Sequence, residues 1–202
     1  MTNVKDKVVR LAQMAVLAAL IVILQQFSIP LGANSLCLVL VPLVMGAVLH
    51  GPLAGAVLGG VFGAVITWLA VEGRLGVLTT MMLSESAVLT IAICMGKGIA
   101  AGWVAGLIAK ALKNKPMLGT LLASAAAPVV NTGIYFLGIT TVFRDTALRW
   151  AAQDPNVAYT GGSILYLAIF ILIGLNFVIE LSANVVLAPA IRTVVNAVRK
   201  MR

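Results

Sequence analysis

The sequence predicts an all-α integral membrane protein: one domain over residues 1–202, six transmembrane helices, and both termini in the cytoplasm. Three observations predict it. Of the 202 residues, 61% are hydrophobic and 10% charged, where a soluble domain carries about 25% charged residues. Several apolar stretches approach or exceed the ~20 residues that cross a bilayer as a helix, and they are continuous rather than alternating, against the pattern of a β-barrel. The cations gather at the ends of these stretches, so the net charge of +8 points to a lipid bilayer and not to nucleic acid.

The first span runs from about Lys7 to Phe27. Lys5, Lys7 and Arg10 precede it and Leu31-Gly32-Ala33 follows, the outline of a signal peptide. The rest of the chain is itself membrane-spanning, so an uncleaved first helix is expected. Pro30, Gly32 and Asn34 mark a loop. The second span, roughly Cys37–Leu49, is short, and tilt or the preceding loop completes it. His50-Gly51-Pro52 is a tight turn, with Pro52 suited to the first turn of the third span, which reaches about Val71.

Glu72, Gly73 and Arg74 open an outer loop. Residues 75–93 are apolar but carry Thr79, Thr80, Ser84, Glu85, Ser86 and Thr90, which predicts a loop or half-helix leading into the fourth span. That span ends at the basic segment Lys110–Lys115, and Pro116 breaks the chain. The fifth span covers about Leu118–Phe143. Arg144–Gly162 is the most polar segment and reads as an outer loop. The sixth span runs from about Ser163 to the C-terminal basic cluster, bent at Pro189. With this layout ten Lys and Arg residues fall on the side of the termini and three on the other, which places the termini in the cytoplasm.

Small residues set the expected packing. Gly51, Gly55, Gly59 and Gly63 recur every fourth residue in the third span, as do Gly98, Gly102 and Gly106 in the fourth. This spacing lets helix backbones approach closely in lipid. Ala12, Ala15 and Ala19 form a smooth face on the first span. That face either packs within the bundle or docks a separate membrane subunit.

No catalytic set is visible. The chain has one His, His50, no cluster of metal-ligand spacing and no nucleophile motif, so no enzyme, metal or cofactor is expected. It lacks a phosphate-binding G-x-x-x-x-G-K-[ST] sequence, so ATP hydrolysis is expected only in a partner. Cys37 and Cys94 read as small apolar filler. The informative residues are polar ones at membrane depth. Asn176, Glu180 and Asn184 recur at i, i+4, i+8 and form one stripe on the last span. A carboxylate in hydrocarbon costs ~2.5–3.5 kcal/mol on insertion scales, so the stripe should face protein or a wet cavity. Asn131 and Tyr135 lie one turn apart in the fifth span, and Lys97 lies ~24 Å from the cytoplasmic end of the fourth. Together these residues recognise a polar organic solute, or serve as a structural Lys97–Glu180 pair with interhelical amide bonds. Trp68 is an interface anchor or a stacking wall, and Thr79, Glu85 and Asn34 line the mouth of a site or a solvated loop.

The order of these features resembles the substrate-binding S component of energy-coupling factor (ECF) vitamin transporters, in its riboflavin/pantothenate-type branch. The matching pieces are the Ala15/Ala19 face, VPLVMGAVLHGPLAGAVLGGVFGAV at 41–65, MGKGIAAGWVAGLIAKALKNK at 95–115, APVVNTGIYFLG at 127–138 and NFVIELSANVVLAPAI at 176–191. The resemblance implies a multi-pass protein of a bacterial-type cell membrane that binds a small water-soluble vitamin from outside. It implies work with a transmembrane coupling subunit, met through Ala15 and Ala19, and with two cytoplasmic ATPase subunits. It places the site at outer loops and the outer halves of the last three helices, consistent with Lys97, Asn131, Tyr135 and Asn176. Many relatives carry Arg where Lys97 stands, and Lys lacks that bidentate fork. Two other classes stand beside this one: a structural or assembly membrane protein without a ligand, and an autonomous proton-coupled carrier using Glu180.

Overall fold

The fold is that of a computed structural model, which describes residues 4–27, 29–31, 34–36, 38–153, 163–167, 169 and 174–200. Its helices are α1 (Val4–Gln26), α2 (Leu40–His50), α3 (Pro52–Val71), α4 (Val77–Glu85), α5 (Ala87–Ala111), α6 (Pro116–Leu137), α7 (Arg144–Gln153), the single turn α8 (Ile164–Tyr166) and α9 (Gly174–Lys200). A π-helical turn, Gly138–Val142, prolongs α6. Five helical segments are long and apolar enough to cross a membrane: Val4–Gln26, Pro52–Val71, Ala87–Ala111, Pro116–Val142 and Asn176–Lys200. Large apolar side chains on their outer faces are exposed, among them Leu53, Val57, Val88 and Val186. Bundle helices with apolar outsides define a multi-pass helical membrane protein.

The sixth apolar helix, α2, is different. Eleven residues rise only ~16 Å, about half the hydrocarbon thickness. Its Leu40, Leu43, Val44, Ala47 and Val48 are all buried, and it touches α1, α3, α5, α6 and α9. An apolar helix with little polar face belongs inside a bundle, and α2 is its inner post. Gly51, at φ 90°, reverses the chain between α2 and α3, and Pro52 starts α3.

The glycine spacing has a specific partner. α3 and α5 run antiparallel, with Gly55 against Gly102 and Gly59 against Gly98. A Cβ on Gly55 would collide with the Gly102 carbonyl, and one on Gly59 with the Gly98 carbonyl. The two backbones are therefore in contact, and this is the most extensive helix pairing in the bundle.

Several segments depart from the sequence expectation. The loop around Pro30 and Asn34 is a small antiparallel hairpin, Ile29–Leu31 with Asn34–Leu36. α2 begins at Leu40, three residues later than expected. The half-helix is α4, and α5 starts directly after it at Ala87 because Ser86 adopts an extended conformation and caps the new helix, accepting from the Leu89 amide. The polar segment after Phe143 opens as the helix α7, which buries Thr146, Ala147, Trp150 and Ala151 on one face. Ala147, Trp150 and Ala151 pack with Leu78, Met82, Ile139 and Phe143 into a second apolar cluster that caps the bundle at the α4 end. Helix α9 continues through Pro189. Cys37, the segment 154–162 and much of the expected start of the sixth span, 168 and 170–173, lie outside the described residues.

Candidate functional site

One cavity collects the polar residues that the apolar helices bury. It lies at the end of the bundle away from the basic ends of α5 and α9. Each long helix brings side chains at helical spacing: Phe62 and Ile66 from α3, Thr90, Cys94 and Lys97 from α5, Asn131 and Tyr135 from α6, Asn176 and Glu180 from α9. Gln25 of α1, Leu75, Thr79 and Met82 at α4, and Thr132 complete the wall. The space open to the centres of water-sized occupants is about 100 Å³, and the whole recess with its mouth is about 820 Å³. The inner figure is below the ~300–1,000 Å³ of drug-sized ligand pockets, so the space suits water-sized or very small occupants and a larger solute requires the wall to move.

The hydrogen-bonding ledger of this cavity is incomplete in one direction. Gln25 Oε1, Asn131 Oδ1 and Asn176 Oδ1 are buried with no hydrogen-bond partner among the described residues. They come from three different helices, α1, α6 and α9, and line the same space. A buried amide oxygen left unpaired costs ~1–3 kcal/mol, so three around one cavity favour water or a donor-bearing solute there. Lys97 is similarly placed. Its Nζ lies 4.8 Å from the centroid of the Tyr135 ring and 6.0 Å from that of Phe62. The ion pairs among the described residues are Arg74–Glu72 and Arg149–Glu85, so Lys97 is held by aromatic faces and forms none with Glu180. Glu180 is buried, and its backbone carbonyl accepts from the side-chain amide of fully buried Asn184. The stripe on α9 thus divides: Asn176 and Glu180 line the cavity, and Asn184 braces the helix one turn deeper.

Of the expected binding residues, Lys97, Asn131, Tyr135, Asn176, Glu180 and Thr79 line one cavity. Three do not. Trp68 is 66% exposed, because it stands two residues, about 200°, beyond Ile66 on α3 and so points away from the cavity; it is no stacking wall. Glu85 is not part of the lining either. It closes α4 against α7, bonded to Arg149 Nη2 at 2.8 Å and to the Thr146 hydroxyl. Asn34 belongs to the hairpin strand Asn34–Leu36, and its side chain lies outside the described set. Sequence reasoning missed Gln25, Thr132 and Cys94 as lining residues. Cys94 is buried as expected of a filler, yet it borders the cavity one turn before Lys97. Leu17, Ile21 and Gln25 are the buried residues of α1, at i, i+4, i+8, and this shared face turns Gln25 inward.

Ala12, Ala15 and Ala19 are exposed on α1. Ala15 lies about 160° round the helix from Leu17, so the alanine face points away from the bundle.

No protein-family model matches the chain, and no curated protein matches it.

Proposed function

We propose that this chain is the substrate-binding S component of an ECF-type importer, taking up a small water-soluble vitamin or cofactor precursor of riboflavin or pantothenate type. In this proposal α2 completes a set of six membrane helices, both termini are cytoplasmic in a bacterial-type plasma membrane, and the polar cavity opens outward. The observation that carries it is the convergence of three unpartnered amide oxygens and the Lys97 ammonium on one cavity inside an otherwise apolar bundle. Helix glue uses up its polar groups by pairing them, whereas these point into shared space. Lys97 meets an acidic group of the solute, and the amides meet its hydroxyl or amide hydrogens. Binding displaces water and moves α4, the shortest element of the wall. A transmembrane coupling subunit docks on the Ala15/Ala19 face, and two partner ATPases supply the energy.

The test is mass spectrometry of the small molecule that co-purifies with the detergent-solubilised protein, followed by calorimetric titration of that compound. A stoichiometric vitamin is expected. A protein that is empty and ignores a vitamin panel would sink the proposal in favour of a structural role.

One observation favours a second reading: Glu180 is a buried carboxylate at the cavity wall, a position used by proton-coupled carriers. That reading requires solute uptake by this chain alone in liposomes under a pH gradient, abolished by Glu180→Gln.

A further inference from the structure

A second recess lies at the opposite end of the bundle and shares no lining residue with the first. Lys110 and Lys113 at the end of α5 and Arg192 and Arg199 on α9 line it, and its volume is about 220 Å³. Its remaining wall is largely apolar, including Ala47, Val48 and Ala109, and no carboxylate lines it. Arg192 and Arg199, seven residues apart, fall on one face of α9 and repel each other. The Arg199 guanidinium also donates to the Val48 carbonyl at 3.1 Å, at the C-terminal end of α2. That contact, and the negative end of the α2 dipole, fix the arginine in place without neutralising the group of four cations. Among the described residues, Lys110, Lys113 and Arg192 take part in no ion pair.

We propose that this recess binds the phosphate of an anionic phospholipid. Four cations over an apolar wall match a phosphodiester with its acyl chains beginning beside it. The recess lies toward the basic ends of the apolar helices α5 and α9, and such ends of membrane-spanning helices meet lipid headgroups. A free phosphate satisfies the cations but leaves the apolar wall wet, and this favours the lipid. The proposal is independent of the solute assigned to the other cavity.

The experiment is native mass spectrometry of the full-length protein released from nanodiscs of equal phosphatidylglycerol and phosphatidylcholine. Wild type is expected to retain phosphatidylglycerol at least about five-fold over phosphatidylcholine, and each pair of lost pocket charges should remove most of that preference. The paired substitutions are Lys110→Gln with Lys113→Gln, whose side chains make no hydrogen bond among the described residues, and Arg192→Gln with Arg199→Gln. Lys5→Gln with Lys7→Gln removes the same charge outside the recess and should change nothing. Equal retention of both lipids by wild type overturns the proposal, as does an equal loss in all three double variants, which would signal general surface charge. Release of the bound lipid by about 10 mM inorganic phosphate would assign the recess to a free anion and overturn the lipid assignment.

Discussion

The Lys97 ammonium lies 4.8 Å from the centroid of the Tyr135 ring and is bound to no carboxylate among the described residues. A lysine at membrane depth ordinarily finds an anion or reaches for the interface. Here two aromatic faces hold it at the cavity wall, with its hydrogens available to a solute. Lys97→Ala is expected to weaken solute binding by ~10–100-fold, the loss of a charge-assisted hydrogen bond of ~1.5–3 kcal/mol. Titration of the co-purified compound checks this. An affinity within two-fold or so of wild type would remove Lys97 from the site.

The amide groups carry an opposite pair of effects. Asn131 Oδ1 and Asn176 Oδ1 are buried with no partner among the described residues, so each carries a desolvation cost that a donor must offset. Replacing either with leucine removes that desolvation cost and keeps the branched shape in a somewhat larger side chain. Asn131→Leu and Asn176→Leu are expected to leave the melting temperature unchanged or raised by a few degrees while weakening solute binding ~5-fold or more. Thermal melts in detergent beside calorimetric titration read both. A variant that is destabilised and still binds normally would make the asparagines structural.

Much of this cavity was legible in the chain because an ionisable or amide side chain is conspicuous in an apolar run. Lys97, Asn131, Asn176 and Glu180 needed only the helical period to be brought to one depth. Gln25 was harder, since it precedes Gln26 at a helix end where polarity is ordinary. Only the burial of Leu17 and Ile21 shows that Gln25 turns inward, while Gln26 accepts a hydrogen bond from Arg74 at 2.9 Å. The fold shows the same division. Pro52, Pro116 and the glycine repeats marked the long helices, but α7 was hidden by its polarity, although Thr146, Ala147, Trp150 and Ala151 repeat as a helix face. Which helix met the glycine stripe of α3 depended on long-range packing, and the sequence pattern alone had no means of pairing it with α5.

That pairing has a sharp test. A side chain at Gly59 or Gly102 meets carbonyl groups of the facing backbone, which cannot rotate aside as a side chain can. Gly59→Val and Gly102→Val are expected to cost at least ~1–3 kcal/mol and to lower the yield of monodisperse protein. At Gly96 no atom lies within 4 Å of an added Cβ. Gly96→Ala should therefore be neutral, or stabilising by up to ~1 kcal/mol through the unfolded chain. Size-exclusion profiles and thermal melts of the three variants decide it. Equal tolerance of all three would show that α3 and α5 stand further apart.

The contact between Glu85 and Arg149 ties α4 to α7 across an exposed ion pair at 2.8 Å, and the Thr146 hydroxyl joins it. An exposed pair of this kind contributes ~0–1 kcal/mol, so Arg149→Gln should barely shift the melting temperature. Its effect is expected in exchange kinetics, because α4 carries Thr79 and Met82 to the cavity wall. Faster solute dissociation in Arg149→Gln, at least about two-fold by stopped flow, is the expected result, with a smaller difference between wild type and variant at high salt. An unchanged dissociation rate would mean that α4 does not gate the cavity.

The exposed alanine face of α1 separates partner docking from solute binding. Ala15 and Ala19 point away from Leu17, Ile21 and Gln25, the residues that α1 buries in the bundle. A tryptophan at either position fills a surface a second helix could approach closely, yet it meets none of the cavity residues. Ala15→Trp and Ala19→Trp are expected to keep the melting temperature and solute affinity of wild type and to lose co-purification with the coupling subunit and its ATPases by ~10-fold or more. Retained complex at wild-type yield would place the docking face elsewhere. Loss of solute binding together with the complex would instead mean that α1 is held in the bundle through its alanine face, and the internal-packing role would prevail.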